Sequence, residues 1–172
     1  MDDFGAQATA VIPRLRRYAR ALTGDAMRAD DLVQDTRERA LVKQHLWRQG
    51  SDLRAWMFTI MHNVFVNQVR ARPADITVAL DAEAYDVPAN INPVDRLEVG
   101  DMDAAIRCLP DEQREILLLI ALEQLSYGET AQALGIPLGT VMSRLHRARE
   151  RLRTVLGGEA VAGAPVVVKV VK

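Results

Sequence analysis

The chain has 172 residues, is 49% hydrophobic and 5% aromatic, and carries a formal net charge of −1. That length allows one domain with a sizeable core or two small ones. Abundant Ala, Leu and Arg favour helices over sheets, and Cys108 alone excludes a disulfide framework or a cysteine zinc site.

Residues 5–72 read as three helices. Ile12, Leu15, Tyr18, Ala19 and Leu22 recur at helical spacing, and Gly24 is a stop. Asp25 is placed to cap a second helix whose stripe is Leu32, Val33, Ala40 and Leu41, with acids early and cations late along the dipole. The loop Arg48–Ser51 follows, and Ser51 or Asp52 starts a third helix to about Arg70. Trp56, Ile60, Val64 and Val69 are expected to face its core, and Pro73 blocks continuation.

Residues 73–93 mix Pro, Asp and Asn without a sustained period and read as a flexible acidic linker, with "ITVAL" at 76–80 its one strand-like stretch. Helical patterning resumes at Val94 and runs to about Cys108, and another helix starts near Pro110 with acids in its first turn. Ser126 and Glu129 have capping-box spacing and open a short helix through Leu134. Gly135 then supplies a turn, and Pro137 suits the first turn of a last helix to about Val155. The second block thus spans 94–156. The tail 157–172 alternates weakly at Val166–Val171 and carries no functional assignment. The fold class is all-α: two small helical domains on an acidic tether.

The near-zero charge conceals a split. Residues 74–112 hold ten acids against Arg96 and Arg107, whereas 140–153 holds five arginines against Glu150. Residues 126–149 have the form of a helix-turn-helix: Ala131 at the crossing, Gly135 in the turn, and Val141, Leu145, Ala148 and Leu152 as a narrow apolar stripe. At ~100° per residue the opposite side carries Ser143, His146, Arg147 and Glu150, flanked by Thr140 and Arg144. Such a face suits a DNA major groove, because a guanidinium fork matches guanine and phosphate acceptors. A surface helical hairpin with solvated arginines fits the same residues.

The stretch "LPDEQREILLLIALEQLSYGETAQALGIPLGTVMSRLHRARERL" resembles region four, the promoter-reading domain of bacterial sigma factors of the extracytoplasmic-function (ECF) group. "ADDLVQDTRERAL" resembles the polymerase-docking helix of region two, and "DLRAWMFTIMHNVFVNQVR" its strand-melting helix. The resemblance covers roughly 10–155. It implies that Asp31, Leu32, Gln34 and Asp35 dock on the coiled coil of the polymerase's largest subunit. It also implies that Asn63 lies near the downstream (minus-ten) element behind the base-pocketing loop Trp47–Asp52. Arg54, Arg70 and Arg72 fit phosphate contacts there, and each fits a solvated surface equally well. Trp56 matches the family tryptophan, and its residue type favours a core role over base stacking. Thr140, Ser143, Arg144, His146 and Arg147 then read the upstream (minus-thirty-five) element. Met142 departs from the pattern, standing where many relatives place Lys.

The implied function is promoter-specific initiation with core RNA polymerase and promoter DNA as partners, under control of an anti-sigma factor. Catalysis would belong to the polymerase, not to this chain. Two readings compete: a decoy that titrates an anti-sigma factor, and a stand-alone helix-turn-helix regulator. Decoys of that kind carry a receiver domain for which this chain has no room, and a stand-alone regulator leaves the region-two match unexplained. His45, His62 and His146 are scattered without ligand spacing, and no phosphate loop or nucleophile motif occurs, so neither metal nor cofactor is expected. The longest apolar run, Ile116–Leu122, is too short to span a bilayer, and the N-terminus lacks a signal-peptide pattern. The expected setting is therefore cytoplasmic, without membrane insertion.

Overall fold

A computed structural model describes residues 3–72 and 99–157, which form seven α-helices and a short 3₁₀ turn, with no strand among the described residues. The strand-like stretches 76–80 and 166–171, and the expected helical start at 94–98, lie outside them.

In the N-terminal block, α1 (Asp3–Thr23) buries Leu15, Tyr18, Ala19 and Leu22. It ends at Gly24, whose φ of 66° is left-handed, so the backbone conformation calls for glycine. The Asp25 side chain accepts from the Arg28 backbone N–H and caps α2 (Ala26–Val42). A 3₁₀ turn at Gln44–Leu46 follows. Asp52 then caps α3 (Leu53–Arg70) by accepting from the Arg54 and Ala55 N–H groups. The core of α3 is wider than the sequence stripe: Leu53, Met57, Phe58, Ile60, Met61, Val64 and Phe65 are all buried. Ile60 and Val64 were expected there. Trp56 is half-buried at the edge, its ring 6.0 Å from Phe4, and Val69 is exposed. The cause is tertiary: α3 meets α2 on one side and the C-terminal block on another, so more than one stripe loses water.

In the C-terminal block, α4 (Val99–Arg107) leads to α5 (Asp111–Ala121), α6 (Tyr127–Leu134) and α7 (Leu138–Val155). Ser126 and Glu129 form the reciprocal capping box. Gly135, at φ 64° and ψ 35°, ends α6, and Pro137 stands at the N-cap of α7. Val141, Leu145 and Ala148 of α7 pack with Leu109, Ile116 and Leu117.

The two blocks share a seam. Leu118, Leu119 and Leu125 join the core of α1–α3, with α6 against α3 and α5 against α1. Each buried leucine contributes roughly 1.5–3 kcal/mol, whereas burying Glu115 and Glu123 is costly. Apolar contact therefore holds the seam, and polar partners offset the cost of the acids. Arg17 meets the Glu123 carboxylate at 2.9 Å, Arg54 donates to the Glu123 carbonyl at 3.0 Å, and His62 Nδ1 lies 2.8 Å from Glu115 Oε1. Arg114 is a staple: it donates to the carbonyls of Ile106, Arg107 and Leu109, and across the seam to that of Leu22.

Candidate nucleic-acid interface

The second helix of the helix-turn-helix is α7. Burial of Val141, Leu145 and Ala148 turns Ser143, His146 and Arg147 outward, and all three are exposed. The Ser143 hydroxyl donates to the Thr140 carbonyl at 3.1 Å, which leaves its oxygen able to accept. Thr140 is half-buried. Arg144 is half-buried too and pairs with Glu112 at 2.9 Å, so α5 already holds one of the five residues assigned to upstream reading. Farther along α7, Arg153 pairs with Glu150.

On α3, Asn63 is exposed and its amide donates to the Thr59 carbonyl at 3.0 Å, leaving its own carbonyl oxygen unused by that bond. Arg70 and Arg72 are exposed at the helix end. Burial and then the neighbouring charge of Arg72 lower the pKa of Arg28 at the start of α2, while Asp25 and Asp111 oppose the shift. Arg54 corrects the sequence reading. It is half-buried and bonded to Asp52 and to the Glu123 carbonyl, so in this arrangement it serves the seam and not a phosphate. Asn67, one turn beyond Asn63, is likewise exposed. In the loop ahead of α3, the Ser51 hydroxyl donates to the Arg48 carbonyl and Gly50 has a φ of 85°.

On α2, Asp31 and Gln34 are exposed, with Gln34 donating to Glu38 at 3.0 Å. Asp35 is half-buried and accepts from Gln68 at 2.8 Å. Leu32 is a second correction: it is fully buried, so its side chain holds α2 to the core and presents nothing to a partner. Tyr18 is buried as its place in the α1 stripe predicts, whereas the buried Glu115 and Glu123 of the seam are not marked by periodicity, because an acid's burial depends on a partner helix that periodicity does not name. Burial raises the Glu115 carboxyl pKa and the bond to His62 opposes the rise. Burial, followed by the nearby Glu115 and Glu123, pushes the Tyr18 phenol well above its ordinary value.

Comparison with known proteins finds relatives for both blocks. Residues 9–62 match a family model described as the Sigma2 domain of PhyR, and residues 100–152 match one described as Sigma-70, region 4. The chain is 39% identical over 147 residues to the ECF RNA polymerase sigma factor EcfG of Rhodopseudomonas palustris, covering 86% of this chain and 81% of that protein. It superposes on the sigma factor RpoE in complex with the anti-sigma factor NepR from Bartonella quintana with a TM-score of 0.74 and 35% identity, over 93% of this chain and 100% of that one. The anti-anti-sigma factor PhyR complexed with NepR, also from Bartonella quintana, shares the fold at 17% identity and a TM-score of 0.60, over 87% of this chain and 49% of that one.

Proposed function

The chain belongs to the ECF sigma factors of bacterial RNA polymerase, and from that membership we propose how its surfaces divide the work. It is a transcription factor and not an enzyme. It binds core RNA polymerase and makes initiation depend on promoter sequence, which places its action in the cytoplasm with the polymerase and the chromosome. Residues 5–72 serve as region two: Asp31, Gln34 and Asp35 of α2 face the polymerase, and Asn63 and Arg70 of α3 face the downstream element. Residues 94–156 serve as region four, with α7 reading the upstream element through Ser143, His146 and Arg147. The carrying observation is that one chain presents an exposed polar and cationic face on the second helix of a helix-turn-helix together with exposed Asp31 and Asn63 on the other block.

The shared seam supports one further element of this reading, that the isolated chain binds promoters weakly and the holoenzyme tightly. The two promoter elements lie about 25 base pairs apart, or roughly 85 Å at a 3.4 Å rise. A folded body of ~130 residues has a radius of gyration near 14 Å. With α6 against α3 the blocks reach one element at a time, and polymerase supplies the means of separating them. Residues 73–98 have a contour of roughly 90 Å, enough for the separation. Nanomolar, sequence-specific binding by the isolated chain at physiological salt would overturn this element.

An anti-sigma factor is the second partner. Its support is the likeness to RpoE, which was solved with the anti-sigma factor NepR. Co-purification from native cells tests it, and recovery of polymerase alone under every growth condition counts against it.

A decoy reading draws on one observation, the N-terminal match to a domain of PhyR. Run-off transcription with core polymerase separates the two. A sigma factor makes initiation depend on this chain and on promoter sequence, and start-site mapping then yields the two elements; a decoy gives no transcript.

A further inference from the structure

We propose that Leu138 and Met142 form an apolar reading edge on α7 that seats a thymine 5-methyl group of the upstream promoter element. The proposal rests on the region-four reading of α7 and adds to it a base type and the side chains that select it.

Leu138 is 50% exposed and Met142 52%, while Val141, Leu145 and Ala148 of the same helix are at most 2% exposed. The core face of α7 is therefore complete without them. Four residues apart, they lie on one edge of the helix, with Cβ atoms ~5–6 Å from each other. That edge adjoins the polar face: His146 is one turn beyond Met142, and Ser143 lies ~100° around. Arg149, also exposed, follows Met142 by seven residues, or ~10 Å, on the same edge.

Position then limits what can cover the edge. In a helix-turn-helix the N-terminal part of the second helix meets the bases, and Leu138 is the first residue of α7. The major-groove edge of a base pair offers donors, acceptors and one apolar group, the thymine C5 methyl. Exposed Leu and Met side chains among Ser143, His146 and Arg147 complement that group and none of the others. Arg149 lies farther along the same edge, where it can meet a backbone phosphate. The opposite edge is less available, since Thr140 is half-buried and Arg144 is held by Glu112.

The test uses holoenzyme reconstituted with the full chain and the upstream element identified by start-site mapping. Thymines on either strand are replaced singly by deoxyuridine, which removes the methyl and keeps the hydrogen-bonding groups. The expected result is a three- to four-fold loss of promoter affinity at one or two adjacent positions, as for about one buried methyl. With the Leu138→Ala, Met142→Ala chain the same replacements should have no effect. Both residues are surface-exposed, so the double variant should keep the circular dichroism and melting temperature of the parent. Full affinity for every deoxyuridine promoter, with initiation still dependent on the chain, overturns the proposal and leaves the sigma reading intact. Loss of a protein partner by the double variant, with deoxyuridine still silent, overturns it by showing a protein-docking edge. Absence of any chain-dependent initiation overturns the sigma reading itself, and this proposal with it.

Discussion

His62 Nδ1 lies 2.8 Å from Oε1 of Glu115, and this contact joins α3 of one block to α5 of the other. Glu115 is 4% exposed, so its carboxyl has little water to fall back on if the imidazole is removed. We expect His62→Ala to cost about 1–3 kcal/mol of stability, the usual penalty for stranding a buried polar group. His62→Leu combined with Glu115→Leu should cost less than His62→Ala alone, because both polar groups leave together. Urea denaturation of the parent, His62→Ala, His62→Leu, Glu115→Leu and the double variant checks this. A double variant as unstable as the sum of its parts would show that the two residues are not coupled.

Arg114 gathers carbonyls from the α4 end and from Leu22 of α1, groups that a helix C-terminus otherwise leaves to water. Its guanidinium is largely removed from solvent, and burial lowers its pKa. A planar fork with five donors spans these acceptors; a lysine ammonium with three donors on a point centre does not. Arg114→Ala should therefore cost about 3 kcal/mol or more, and Arg114→Lys should recover less than half of that. Thermal denaturation of both variants decides. Full rescue by lysine would mean that charge, and not the fork, holds the staple.

Tyr18 gives the chain a signature at alkaline pH. Its phenol pKa lies well above 10.0 in the folded chain, raised first by burial and then by Glu115 and Glu123. The unfolded chain loses this proton near pH 10 while the folded chain keeps it, so the folded state binds more protons above that point. The contribution is fully present below pH 10 and is lost as pH rises beyond it, at up to about 1.4 kcal/mol per pH unit. Tyr18→Phe should remove this slope and leave the neutral-pH profile shape unchanged. Matching alkaline slopes in parent and variant would contradict a buried phenol.

Local chemistry was legible in the sequence wherever neighbours in the chain decide the outcome. The Asp25 cap, the Ser126–Glu129 box and the Gly24 and Gly135 stops follow from residues within one turn. The stripe Val141, Leu145 and Ala148 was read correctly because α7 has one buried side. The misreadings share the opposite cause. Arg54 is drawn to the carbonyl of Glu123, 69 residues away. Periodicity states which face of a helix is apolar and is silent on which acid another helix brings to it. Val69 also fell outside the core: it is 36% exposed, although the adjacent Gln68 still meets Asp35 of α2.

Leu32 separates motif from surface, and this gives the last test. The motif Asp31, Leu32, Gln34 and Asp35 reads as one docking patch, yet Leu32 is 0% exposed while Asp31 and Gln34 face solvent. The two sets should fail in different assays. Asp31→Arg with Gln34→Ala should leave the melting temperature within about 2 °C of the parent, because exposed substitutions of this kind usually stay within ~0.5 kcal/mol. The same variant should weaken binding to core polymerase by at least tenfold, since reversing a charge at a complementary surface adds repulsion as well as removing attraction. The loss should shrink as salt rises. Leu32→Ala should do the reverse. Emptying a buried leucine site costs about 2–5 kcal/mol, so the variant should melt early, and at a temperature where it is still folded it should bind polymerase almost as the parent does. If Leu32→Ala instead kept full stability and lost polymerase, α2 would have to turn its buried side outward on docking, and the assignment of Asp31 and Gln34 as the contact face would fall.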